Sequence, residues 1–388
     1  MFNPTLQTRL IIGGREYWFS PHPVVPSLVW GQEGRHAIVY RLQSNGDAYA
    51  LKVFRPAFRH DGLLTTAGAL WTYRELPGMR VCQQTVITRD THPELVSQYE
   101  DLNYAMLMPW IDGETWFDFL QNRKKVSLEQ SRLLAESMAW VLYALELNQL
   151  AHCDLSSGNV IVTPDMLQLQ LVDVEDLYSP WLIPPPMVPA GSIGYQHREV
   201  AQTGQWGPLG DRFAGAVLLA EMLGWAHPQV RKTAWGESFF APDELQQDSE
   251  RYKLLRKVLR IYDPGFAEAF EQAWRSRSLE ECPPLKTWYD LLDSLPREPV
   301  VSWAPINPRE FEEAEAGTPK PAHSRASASR PAAKKGHSIP ATQVTVKPGS
   351  ASRRGCRLSA AITLVLALLC CYAAFVAFEW AILRNIIR

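Results

Sequence analysis

Apolar residues follow two different periods along the chain. In the first third they alternate or run short. Residues 10–12 (Leu-Ile-Ile) and 16–19 (Glu-Tyr-Trp-Phe) flank Gly13-Gly14. A glycine pair tolerates the positive φ of a tight turn, so this stretch predicts a β-hairpin. Residues 37–42 and 48–54 flank Ser44-Asn45-Gly46-Asp47 and predict a second hairpin, and 104–110 reads as a further strand. Farther on the period changes. Residues 128–150, 213–223, 252–261 and 266–274 carry apolar side chains at helical spacing. Strands first and helices later predict an α+β chain with a β-rich and an α-rich lobe.

The pattern changes again near the C-terminus. Residues 358–378 form 21 consecutive positions without a charge. At about 1.5 Å per residue, such a helix crosses a hydrocarbon core of about 30 Å. Glu379 and Trp380 then mark an interface, so 358–380 is expected to be a transmembrane helix and 381–388 a short tail. Lys347, Arg353, Arg354 and Arg357 precede the span, against Arg384 and Arg388 after it. This bias places the N-terminal body in the cytoplasm of a single-pass membrane protein. Residues 296–357 are rich in Pro, Ala, Ser and basic side chains and predict a disordered linker. Its last 40 residues hold nine basic side chains and no acid, a composition suited to anionic lipid.

Composition adds one correction to the picture of an average globular chain. The net charge of the 388 residues is −2, which argues against a nucleic-acid partner. That figure is a cancellation. Residues 296–357 hold 11 basic and 5 acidic side chains, and 358–388 hold 2 and 1, leaving 26 basic against 35 acidic in the first 295. The body therefore carries −9. The six cysteines show no zinc-ligand spacing and no disulfide framework.

The chemistry is concentrated in a few stretches. His152-Cys153-Asp154-Leu-Ser-Ser-Gly-Asn159 puts an acid and an amide five apart in a polar loop closed by a β-branched strand, and Asp173 follows the next short strand. Two carboxylates and an amide are the oxygen set that Mg²⁺ takes when it also holds phosphate. Upstream, Lys52 is the lone cation in the apolar strand Tyr-Ala-Leu-Lys-Val-Phe, and a buried ammonium needs an anionic partner. A turn carrying Gly31 and Gly34 precedes that strand.

In this order the pieces resemble the eukaryotic-type (Hanks-like) protein kinase family over residues 25–295, in the form of a divergent, bacterial-type member with a C-terminal anchor. The resemblance implies a bilobal protein-kinase-like fold, with 1–24 as an N-terminal hairpin extension. It implies ATP and Mg²⁺ (or Mn²⁺) as cofactors and transfer of the γ-phosphate to Ser/Thr hydroxyls of a protein. Gly31 and Gly34 would cover the phosphates, Lys52 would neutralise them, and Met108 and Trp110 would border the adenine. Asn159 and Asp173 would hold the metal, and Asp154 would accept the proton of the attacking hydroxyl. Asp211 resembles the helix-opening acid that buttresses the catalytic loop, and Gly191 to Glu199 the end of the activation segment.

Several positions depart from the family pattern. The glycine places read Gln32, Gly34 and Ala37. Between residues 56 and 74 the only acid is Asp61, so the usual helix carboxylate for Lys52 is missing; Glu75 is the nearest substitute. Cys153 replaces an arginine, Ser156 a lysine, and Val174-Glu175 a Phe-Gly pair. Cys282-Pro283 occupies the place of the arginine that would hold Glu199, with Arg275 or Arg277 as substitutes. These departures keep two rivals open: a pseudokinase adaptor, and a small-molecule phosphotransferase of related fold, which Asp-Leu-Ser-Ser-Gly-Asn also resembles.

Overall fold

The computed structural model describes residues 2–296 except 167, 186, 187 and 205. The expected linker from 297 onward, the span 358–380 and the tail 381–388 lie outside the described residues, and among the described residues no helix is long and apolar enough to cross a membrane.

The N-terminal part is an antiparallel sheet of β1 (Arg9–Ile12), β2 (Arg15–Phe19), β3 (Gly31–Glu33), β4 (Ala37–Ser44), β5 (Asp47–Phe54), β6 (Thr85–Val86) and β7 (Met106–Pro109). The strand order is β1-β2-β4-β5-β7-β6, with β3 also pairing to β4. Helices α1 (Gly62–Leu70) and α2 (Pro93–Gln98) are inserted between strands. Both expected hairpins form with two-residue turns in which each central residue has positive φ: Gly13 at 57° and Gly14 at 76°, Asn45 at 52° and Gly46 at 91°. This is the conformation that matches the right-handed strand twist, and Gly and Asn reach it at the least cost.

The hairpin of residues 1–24 is not an appendage. Trp18 and Phe19 of β2 pair with Gln43 and Leu42, the part of β4 that β3 leaves uncovered. Phe2 closes the same corner, with ring centroids 5.9, 5.9 and 5.3 Å from Phe19, Tyr40 and Tyr99. The strand expected at 104–110 shortens to β7, because Tyr104 adopts a left-handed φ of 68° that breaks the extended run.

The remainder is mostly helical: β8 (Glu114–Thr115), α3 (Trp116–Gln121), α4 (Leu128–Leu147), β9 (Val160–Val162), β10 (Leu169–Leu171), α5 (Arg198–Thr203), α6 (Arg212–Gly224), α7 (Pro228–Thr233), α8 (Glu250–Tyr262), α9 (Pro264–Arg275) and α10 (Leu285–Asp293). Helix α4 starts at a capping box, where Ser127 and Gln130 satisfy each other's backbone N–H groups. It stops at Leu147 rather than 150, because Gln149 turns left-handed at φ 57°. Past Arg212, helix α6 is buried on all sides, as a helix apolar all round apart from Glu221 requires. Strands β8, β9 and β10 form a small second sheet, and the loop 151–159 leads into its central strand β9.

Period-two alternation in β5 sets up the site. Leu51 and Val53 face an outer cluster with Leu10, Phe19 and Leu42. Ala50 and Phe54 face the main core, which continues through Leu63 and Met106 into Leu134, Leu142 and Leu218 of the helical part. Lys52 lies between Ala50 and Phe54 on that inner face. An α+β chain with a curled antiparallel sheet followed by helices, in keeping with two lobes, is thus the observed architecture.

Candidate functional site

Lys52 sits in the middle of β5 with its side chain 9% exposed. Its register partners are Val39 on β4 and Met106 on β7, so the ammonium emerges from an apolar row. Nζ donates to Asp173 Oδ1 and to Glu175 Oε2, both at 2.8 Å. Burial alone would lower its pKa, but the two carboxylates outweigh that and hold it above the ordinary lysine value. In return, the ammonium lowers the pKa of Asp173. The pair joins positions 121 residues apart and closes the sheet onto the loop after β10.

Two non-glycine residues of the site are left-handed, Cys153 at φ 66° and Asp173 at φ 59°. Such backbone costs of order 1–3 kcal/mol and persists only where the surroundings impose it. At Cys153 the restraint is visible. Asp211, at the start of α6, accepts the backbone N–H of His152 at 2.6 Å and of Cys153 at 2.9 Å. His152 is further fixed by a 2.8 Å hydrogen bond from Nε2 to Val172 O, just ahead of Asp173. The Cys153 thiol is buried, and burial raises its pKa, so it stays a neutral packing group.

The loop that follows presents Asp154 and Asn159. Asn159 Nδ2 donates to Asp154 O at 2.8 Å, which leaves the amide oxygen as the atom available to a cation. Val172 N donates to Asn159 O at 3.0 Å, bringing Asn159 next to the segment that leads from β10 to Asp173. By donor type, an amide oxygen and a carboxylate would suit a Mg²⁺ that took its other oxygens from phosphate and water. Among the described residues no group of three or more His, Cys, Asp or Glu side chains is arranged to hold a metal unaided. Asp154 Oδ1 accepts from Ser192 Oγ at 2.8 Å, so an aliphatic hydroxyl already rests on this carboxylate. Asp176 lies in the same acidic neighbourhood, where burial, then Glu175 and Asp154, raise its pKa.

The other expected contributors surround this centre unevenly. Met108 pairs with Ala50 across β5 and β7, buried at the back. Trp110 stands partly exposed beside Trp30, centroids 5.2 Å apart, with the Arg41 guanidinium over both rings. Gly31 and Gly34 lie exposed on the β3–β4 hairpin. Neither has a left-handed φ, and a Cβ on Gly31 would press on the Tyr40 ring at 3.0 Å. Gln32, Val39 and Lys52 form one cross-strand row over β3, β4 and β5, so β3 lies two strands from the lysine in the same sheet.

Glu75 does not reach Lys52. Its side chain is 83% exposed and pairs with Arg74. Arg275 pairs with Asp248, not with Glu199. Glu175 and Ser192 are the site residues that sequence reasoning passed over as site members. The signal for Glu175 was present: an acid two residues after Asp173, in a chain whose α1 has none. The chain matches no protein-family model and no curated protein, so the reading of the site rests on its own side chains.

Proposed function

We propose that the chain is an ATP- and Mg²⁺-dependent phosphotransferase of the protein-kinase type, acting on Ser/Thr hydroxyls of proteins and tethered to the cell membrane through 358–380 with its body in the cytoplasm. The observation that carries the reading is the buried Lys52 ammonium bonded to Asp173 across the two parts of the fold. A buried cation bonded to a carboxylate, with an amide and a further carboxylate on the loop 154–159, is the set of groups that moving a phosphoryl group calls for.

In this reading Lys52 binds the nucleotide phosphates. Asn159 and Asp173 hold Mg²⁺, which supplies charge neutralisation at the transferring group. Met108 and Trp110 border the base, and Gly31 and Gly34 cover the phosphates. Asp154 accepts the proton of the acceptor hydroxyl as its oxygen bonds to the γ-phosphorus and the bridging oxygen departs with ADP. The Ser192 hydroxyl on Asp154 supports an aliphatic hydroxyl as the acceptor, because it occupies that hydrogen-bonding position at 2.8 Å. Ser156 replaces a cation near this point, so the positive charge around the transferring phosphate comes chiefly from Lys52 and the metal.

The pseudokinase reading is favoured by one feature. Lys52 is engaged by two carboxylates, which leave only one of its three donors for phosphate. Equilibrium binding of radiolabelled ATP, with and without Mg²⁺, tests both: Mg²⁺-dependent binding that Lys52→Met abolishes is expected, and no binding would overturn the nucleotide-dependent reading. Binding without transfer to protein would leave the pseudokinase.

A further inference from the structure

The two carboxylates on Lys52 are not equivalent. Asp173 keeps 56% of its side-chain surface exposed, whereas Glu175 keeps 13%. Helix α1, which packs against the turn carrying Glu175, reads Gly-Leu-Leu-Thr-Thr-Ala-Gly-Ala-Leu and offers no acid. Asp61, just before it, accepts from the Tyr104 hydroxyl, and Glu75, beyond it, faces solvent. The turn Val174–Asp176 is anchored by Val174, 1% exposed in the core. The left-handed Asp173 directs the chain into that turn, so Asp173 and Glu175 converge on one ammonium.

We propose that Glu175 is the positioning residue of Lys52. It holds the ammonium from the same loop that carries Asp173, and α1 offers no acid for that task. The proposal rests on the nucleotide-dependent phosphotransfer reading above. An ammonium has three donors. Two of these are taken by Asp173 and Glu175, so one is open to phosphate, and a metal drawing on Asp173 would free a second. Releasing Asp173 is the cheaper choice, since water and a cation replace the ammonium at an exposed group. Releasing Glu175 would leave a nearly buried carboxylate unpaired. Glu175 therefore stays on Lys52 while Asp173 turns to the metal. The placement of the lysine follows this loop and does not depend on a carboxylate carried by α1.

The test is a binding measurement on the full-length protein in detergent, using radiolabelled ATP over a Mg²⁺ titration, with thermal midpoints recorded alongside. Glu175→Gln keeps the shape but not the charge. It leaves Asp173 as the sole carboxylate on Lys52, so it should weaken ATP binding and raise the Mg²⁺ half-saturation, each about tenfold. Glu175→Asp, one methylene shorter, should recover all but about threefold of the loss. Asp173→Asn should instead abolish the Mg²⁺ dependence of ATP binding. A folded Glu175→Gln protein with wild-type ATP and Mg²⁺ curves overturns the positioning role and leaves the proposed function standing. If Glu175→Gln does not fold, Glu175→Asp decides, and unchanged curves overturn the proposal. Failure of the wild type to bind Mg²⁺-ATP removes the function and the positioning role together.

Discussion

Lys52, Asp173 and Glu175 together form a buried charge cluster, and its energetics follow from burial. Removing the cation leaves Glu175, 13% exposed, without its partner, and such a loss typically costs about 3–5 kcal/mol. Lys52→Met should lower unfolding stability by about 3 kcal/mol, and adding Glu175→Gln should restore most of it. Urea unfolding of the two single variants and the double variant checks this; additive losses would show that the pair is not coupled. Much of the site was readable residue by residue. A lysine in an apolar strand, and Asp154, Asn159 and Asp173 at tight spacing, could be singled out by residue type and spacing alone. Which carboxylate meets Lys52 was not readable. That choice depends on the left-handed turn at Asp173, and an aspartate declares no such φ in a sequence.

Among the elements, the hairpins were the most legible, because Gly13-Gly14 and Asn45-Gly46 specify their turns by backbone chemistry alone. The short strands β8, β9 and β10 are set instead by tertiary contact. Gly113, just before β8, shows how. It adopts φ 149°, and a Cβ there would lie 2.2 Å from Val162 O on β9. Gly113→Ala must push the two strands apart, and should destabilise the protein by about 2–4 kcal/mol in chemical denaturation. A cost under about 0.5 kcal/mol would mean that the strands separate freely. The ends of β7 and α4 escaped sequence periodicity for a related reason. Tyr104 and Gln149 each turn left-handed at a place where the apolar pattern continues, so the backbone stops the element before the pattern does.

For the molecule as a whole, the core and the charge distribution set different dependences. Glu221 is the one acid inside the all-buried helix α6. Burial pushes its pKa from 4.5 up to about 7, although Phe239 N–H, Trp116 Nε1 and Tyr195 Oη all donate to it. A raised carboxyl binds more protons folded than unfolded, so stability must fall as pH rises from about 4.5 through about 7, by about 3 kcal/mol in all. Glu221→Gln should flatten that slope in urea midpoints taken between pH 5 and pH 8, and an unchanged slope would assign it to other groups. The uncharged apolar run 358–378 implies a second whole-molecule behaviour. In detergent phase separation the full chain should enter the detergent phase and a 1–296 fragment the aqueous phase; equal partition would refute the proposed anchor.

The central claim is phosphoryl transfer by Asp154 with Lys52 and Asp173. Its most direct measurement is transfer from γ-labelled ATP in Mg²⁺ to the chain itself and to a generic protein acceptor, by full-length wild type and by Asp154→Ala. Label on serine or threonine with wild type, lower by about 10²–10⁴-fold in Asp154→Ala while ATP binding persists, is the expected result. Incorporation by wild type no greater than by Asp154→Ala would contradict the account.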